Sequence, residues 1–315
     1  MNKYFPYELH CHTTASDGSM SAEKLISAAK ERGFTGIAVT DHNTYSALDE
    51  AEAIANKAGF VLLKGIEWTT FWGHLTVFGG EAFDWRALTS HNIDEALGRA
   101  KRQGALINIA HPFRLGEPVC SGCRLEYPIN DYENIAGYEI MSGPYPYMQI
   151  YNRNAIAAYD NLLKKGYRLA ALYGYDWHSR DSEVCYAATY LPAQNPADAL
   201  AAIKAQDTFV SVGLNLSLMI DGTQTPFGST IMGGEHIVKI TVWADNPALR
   251  DKFGLVPKEI SLKGNAREYT VCADCGIIKA EMEEGYFRVE VRGDIADCAD
   301  ALMLSSSPVY VKGGR

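Results

Sequence analysis

Short apolar runs alternate with helical patterns along the first two thirds of the chain, and this alternation limits the folds open to it. The runs 36–40, 61–67, 105–110, 138–141 and 169–173 are nearly continuous in apolar character, which is the pattern of strands buried on both faces of a parallel sheet. Between them, segments near 21–32, 46–57, 92–102, 152–165 and 196–206 place apolar residues three and four apart, as amphipathic helices do. Ser21 is the expected N-cap of the first helix and Gly33 its stop. Repeated strand–helix units predict an α/β fold, a (β/α) barrel with an open doubly wound sheet as the alternative. Strand count alone does not decide between them.

Beyond Val212 the texture changes. Runs at 214–221, 237–244, 259–263, 269–272, 287–291 and 301–304 show period-two alternation, and turn pairs such as Asp221-Gly222, Gly233-Gly234 and Glu284-Gly285 separate them. This spacing predicts a β-sandwich. The chain is therefore expected to divide into a barrel over 1–212 and a β-sandwich-like domain over 213–315.

The barrel's chemistry is carried by residues placed where apolar runs stop. Six of the eight histidines do so. His10 and His12 close the first strand two residues apart, and alternation points both imidazoles the same way. Asp17 follows in Ser16-Asp17-Gly18. His42 follows Asp41 at the end of the second run, and Glu67 ends the third. His74 precedes the apolar run 75–78, His111 ends the run 105–110, and Asp176 and His178 follow the run 169–173. In a barrel these strand ends open on one face. Buried carboxylates there need cations, few Lys or Arg lie beside them in sequence, and a cluster of metal ions meets the need. Six histidines and three carboxylates suit two or three ions, with Glu67 bridging. His91 and His236 lack such context and are expected at the surface.

Composition narrows the function. Lys and Arg number 29 against 38 Asp and Glu, a formal net charge of −9, which disfavours general nucleic-acid or anionic-membrane binding. No apolar run reaches transmembrane or signal-peptide length, so a cytoplasmic location is expected. Seven cysteines without an export signal read as reduced thiols; the pairs Cys120/Cys123 and Cys272/Cys275 leave a four-thiolate zinc site as the alternative.

Taken in order, His10-Cys11-His12-Thr13 with Ser16-Asp17-Gly18, then Thr40-Asp41-His42-Asn43, then Gly174-Tyr175-Asp176-Trp177-His178 resemble the motifs of the PHP (polymerase and histidinol phosphatase) superfamily of metal-dependent hydrolases. Tyr175 stands where serine is usual. Residues 65–74 resemble its CehA/McbA-like branch. The resemblance implies a distorted (β/α)7-type barrel with two or three divalent ions (Zn, Mn or Fe). One ion would take His10, His12, Glu67 and Asp176, a second Glu67, His74 and His111, and a third Asp17, His42 and His178. It implies hydrolysis of a phosphoester of a small phosphorylated metabolite or nucleotide by a metal-bridged hydroxide, with Asp176 and Glu67 as catalytic residues. Arg114 and Arg180 are the candidate cations for phosphate. The same centre suits a carboxylic ester or carbamate. A non-catalytic binding protein is the remaining alternative, disfavoured because every expected ligand residue is present. The aromatic stretch Tyr145-Pro146-Tyr147…Tyr151 is a candidate pocket wall.

Overall fold

The computed structural model describes residues 3–80, 85–116, 123–180, 186–244, 246–296 and 298–313. Its first part runs β1 (Phe5–Cys11), α1 (Ala22–Glu31), β2 (Gly36–Val39), α2 (Leu48–Ala58), β3 (Val61–Thr70), β4 (Gly73–Phe78), α3 (Ile93–Arg102), β5 (Leu106–Ile109), β6 (Gly137–Ser142), α4 (Ile150–Lys164), β7 (Ala170–Gly174), β8 (Ala188–Leu191), α5 (Pro196–Lys204) and β9 (Phe209–Ser211). The Ser21 hydroxyl caps α1 by accepting from Lys24 N. Gly59, at φ 59°, ends α2 in the left-handed conformation that costs glycine least.

Strands β1, β2 and β3 pair in parallel, as do β5, β6 and β7. Between the two sets the expected parallel run is broken, because β3–β4 and β4–β5 are antiparallel. Only Phe71 and Trp72 separate β3 from β4, far too few residues for a parallel crossover. Gly73, at φ 148°, closes this hairpin in a region that L side chains rarely adopt, and a Cβ there would press on Leu125. The seven strands curve until their ends meet: His12 N donates to Trp177 O and Trp177 N to His10 O, both at 2.9 Å. Closure covers only one end. Along the rest of β1, β8 pairs antiparallel from Phe5 to Tyr7, so the barrel is split at its base and joined at its mouth. The Glu8 carboxylate spans the seam, one oxygen accepting from both His10 N and Tyr175 N.

After β9 the chain is nearly all strand: β10 (Leu214–Ile220), β11 (Thr223–Gln224), β12 (Thr230–Met232), β13 (Gly234–Ala244), then α6 (Pro247–Phe253), β14 (Val256–Gly264), β15 (Glu268–Cys272), β16 (Ile277–Met282), β17 (Gly285–Ile295), β18 (Cys298–Ser306) and β19 (Val309–Lys312). One sheet has the order β11-β10-β13-β16. The facing strands β14, β17 and β18 bury Ile260, Leu262, Val289, Val291 and Leu304 in the same core as Leu216, Val238, Ile240 and Ile278 of the first sheet. This is a sandwich. Position 212 falls between β9 and β10, yet β9 pairs with both β8 and β18, so one continuous ladder of strands crosses it. No helix among the described residues is long and apolar enough to cross a membrane.

Candidate metal centre

Each donor is aimed by its strand. His10 and His12 leave the end of β1 on one side while Cys11, between them, packs into the apolar core. Glu67 points inward from β3. His74 sits opposite Thr69 in the β3–β4 register, two residues past Glu67 on the same face. His42 is bridged to Glu67 backbone to backbone. Asp176 and His178 flank Trp177, whose hydrogen bonds to β1 set them against His10 and His12. His111 and Asp176 have positive φ, 24° and 60°. Such strain costs on the order of 1–3 kcal/mol each and persists where the surroundings over-determine it.

Glu67 is the centre. One carboxylate oxygen lies 2.8 Å from His42 Nδ1, 3.2 Å from His10 Nε2 and 3.4 Å from His12 Nε2, and the other lies 3.0 Å from His74 Nδ1 and 3.2 Å from His111 Nε2. Asp176 Oδ1 lies 3.0 Å from His12 Nε2 and 3.4 Å from His10 Nε2. Asp17 approaches His178 Nε2 at 3.1 Å and His42 Nε2 at 3.4 Å. Donor atoms within 4.8 Å of one another form three groups: His10, His12, Glu67 and Asp176; Glu67, His74 and His111; and His12, Asp17, His42 and His178. The structure thus brings together all nine residues singled out in the sequence, and it adds His12 to the third group.

The donor atoms fit cations. His10 Nε2, His12 Nε2, one oxygen of Glu67 and Asp176 Oδ1 are buried without a hydrogen-bond partner among the described residues, a costly state that coordination would relieve. Burial alone would raise the Glu67 carboxyl; the imidazoles of His10, His111 and His42 outweigh it and hold the group well below the carboxylate range. Asp176 behaves alike, with burial opposed chiefly by His10 and His12. Mixed imidazole and carboxylate donors around ionised carboxylates suit divalent metals.

Two carboxylates that sequence reasoning left out position the donors. Glu139, buried on β6, accepts from His10 Nδ1 at 2.8 Å and from His111 N at 2.7 Å, fixing the His10 tautomer that leaves Nε2 free to coordinate. Its signal was a lone charge inside an otherwise apolar strand. Asp41 accepts from Thr13 N, Thr13 Oγ1 and Ser16 Oγ, each at 2.7 Å, and so folds the loop that carries Asp17. Arg114 reaches the cluster and donates to Asp176 Oδ2. Arg180 pairs elsewhere: its exposed guanidinium meets Glu31 on α1. His91 is exposed, and His236 pairs with Asp221 on the C-terminal sheet. Tyr147 lines a separate cavity between α4 and β17, whereas Tyr151, beside Ser142, lies near enough to Arg114 and Asp176 to feel their charges. Cys272 and Cys275 are disulfide-bonded, a correction to the expectation of reduced thiols: the turn after β15 brings their Cα atoms to 5.5 Å, within disulfide reach. Cys120 lies outside the described residues.

Comparison with known proteins agrees with this geometry. A 5'-3' exoribonuclease of Haemophilus influenzae is 44% identical over 66 residues, 21% of this chain and 24% of that protein. A 3',5'-nucleoside bisphosphate phosphatase of Chromobacterium violaceum is 37% identical over 70 residues, 22% of this chain and 25% of that protein. The matches thus span about a quarter of those relatives. The crystal structure of a two-domain protein containing a predicted PHP-like metal-dependent phosphoesterase from Bacteroides vulgatus shares the fold. Its TM-score is 0.53 at 15% identity, covering 98% of this chain and 95% of that one. Residues 8–176, which carry all but one of the nine donors, match the PHP domain, and the chain belongs to that family.

Proposed function

We propose that the protein is a metal-dependent phosphoesterase acting on a small phosphorylated metabolite or nucleotide. The observation that carries this reading is the gathering of nine donor residues into three adjoining groups, two of them sharing Glu67, with Arg114 at their edge. His10, His12, Glu67 and Asp176 would hold one divalent ion, Glu67, His74 and His111 a second, and Asp17, His42 and His178, joined by His12, a third. Zinc, manganese and iron all suit these donors. Such ions, when bound, supply acidified water and neutralise phosphate charge.

The chain's own residues do the rest. Glu67 offers charge to both inner groups and fixes their spacing. Asp176 divides its oxygens: Oδ2 accepts from Arg114, while Oδ1 faces the imidazoles as a donor to the first ion, which would set the carboxylate beside the reacting water whose proton it relays. Arg114 pairs with Asp176 and, about one third exposed, has N–H groups left for a phosphate oxygen. The seam hydrogen bonds at Trp177 hold His10, His12, Asp176 and His178 in one geometry.

The test strips the protein with chelator, reloads it with Mn, Zn or Fe, and presents phosphomonoesters, phosphodiesters, nucleoside bisphosphates, 5'-phosphorylated RNA oligonucleotides and carbamates. Metal-dependent phosphate release from a small ester supports the reading. Carbamate cleavage with no phosphoester turned over refutes it, and preference for the oligonucleotide moves the substrate class to RNA.

A further inference from the structure

Ten large apolar side chains stand exposed among the described residues, and six of them, Tyr45, Phe71, Trp72, Leu115, Met148 and Ile150, belong to segments that follow barrel strands. Tyr45 is three residues past His42, Trp72 two before His74, and Leu115 four past His111. Phe71 is 71% exposed and Leu115 77%.

These three segments are stitched together. Asn43 exchanges two hydrogen bonds with Thr69, at 2.8 and 2.9 Å, tying the Tyr45 segment to the end of β3. Trp72 O accepts from Glu126 N, and Pro112 O accepts from Leu125 N. Residues 125–126 therefore bridge the Phe71–Trp72 turn to the His111–Leu115 segment. Phe71 and Trp72 meet edge to face, ring centroids 5.3 Å apart. The outcome is an apolar rim built from the same segments that carry His42, Glu67, His74 and His111, with the Arg114 cation next to Leu115.

We propose that this rim selects phosphoesters that carry a flat aromatic group beside the phosphate. The inference rests on the phosphoesterase reading and adds the substrate's second half. Three of the four side chains are rings, which gain more from a flat face than from an aliphatic tail. Exposed apolar side chains grouped beside polar groups commonly mark ligand or partner sites. Its continuity with the donor-bearing segments assigns it to the molecule being cleaved: an anion at Arg114 and the donors, a ring against Phe71, Trp72 and Leu115.

Two measurements test this. The first is calorimetric binding of benzylphosphonate, cyclohexylmethylphosphonate and methylphosphonate to the metal-loaded protein, which needs no turnover. The second is kcat/KM for benzyl phosphate, cyclohexylmethyl phosphate and glycerol phosphate. Benzylphosphonate should bind roughly tenfold or more tighter than either competitor, and Phe71→Ser and Leu115→Ser should each shrink that ratio. Ile277→Ser, also exposed at 56% but on the C-terminal sheet, should leave it alone. Equal binding of the three phosphonates overturns the inference whether or not any ester is hydrolysed. Phosphonate selectivity without hydrolysis of any phosphoester sustains the rim and overturns the reading beneath it.

Discussion

Glu139→Gln should loosen the metal centre without touching a single coordinating residue. The Glu139 carboxylate receives two hydrogen bonds, from His10 Nδ1 at 2.8 Å and from the backbone N–H of His111 at 2.7 Å. A glutamine amide has one oxygen and one NH2 group, so it can accept from only one of these donors side by side. If the oxygen faces His111 N, the NH2 group faces His10 Nδ1. That ring must then carry its proton on Nε2, the atom 3.2 Å from Glu67 and 3.4 Å from Asp176. A protonated Nε2 cannot coordinate. If the oxygen faces His10 instead, two donors oppose each other at a residue whose φ is 24°. One buried donor left unsatisfied costs about 1–3 kcal/mol, and losing a partner of this kind lowers metal affinity about 10–100-fold. The site is tight on the side of Gly174, where a Cβ would strike the Glu139 carboxylate. Competition titration of the apoprotein with a fluorescent zinc chelator reads the affinity, and urea unfolding of the same apoprotein separates it from stability. Affinity within about twofold of the parent, in a folded Gln variant, would refute the argument.

Four further outcomes follow from the geometry. Glu67→Gln should abolish hydrolysis and remove at least one bound ion per chain while His91→Ala stays within about threefold of the parent rate, less than 1 kcal/mol of barrier; steady-state kinetics and metal analysis read both. Arg114→Ala should lower kcat/KM for a phosphoester about tenfold or more, roughly 1.4 kcal/mol, whereas Arg180→Ala, removing a side chain held by Glu31, should change it little; equal effects would contradict the placement of these two arginines. Arg288 on β17, fully buried, joins the C-terminal sheet to α4 through Asp160 at 2.7 and 2.8 Å and pairs with Glu290 of its own strand at 2.7 Å, so Arg288→Met should cost about 3 kcal/mol in urea unfolding. That is the lower end for a broken buried pair, because Lys263 still reaches Glu290. Burial would raise Glu290, but Arg288 and Lys263 outweigh it and hold the carboxyl below its ordinary value of 4.5. A depressed folded pKa contributes stability above pH 4.5 and loses it as pH falls through the folded value, so Glu290→Gln should flatten the acid limb of a stability–pH curve.

What the sequence determined was local. A period of two set His10 and His12 on one face, and apolar runs bounded by turn residues marked most of the strands. Ligand-type side chains at the ends of those runs marked the nine residues that the fold brings together. These are statements about neighbours along the chain, and strand geometry converts them directly into direction. Contacts across the fold were not legible in that way. The pairing of Glu139 with both His10 and His111 spans 129 and 28 residues, and in sequence the glutamate is one charge in an apolar strand. Arg114 and Arg180 looked equivalent, each a short step past a histidine; the course of the backbone sends one to Asp176 and the other to Glu31. The antiparallel β4 could have been suspected from the two-residue gap before Gly73. The continuous ladder from β8 through β9 to β18 could not, because nothing in a three-residue strand names its partner. Tertiary structure decided these points because long-range hydrogen bonds and buried charges are satisfied by whichever groups the packed core brings within about 3 Å, and that choice belongs to the whole chain at once.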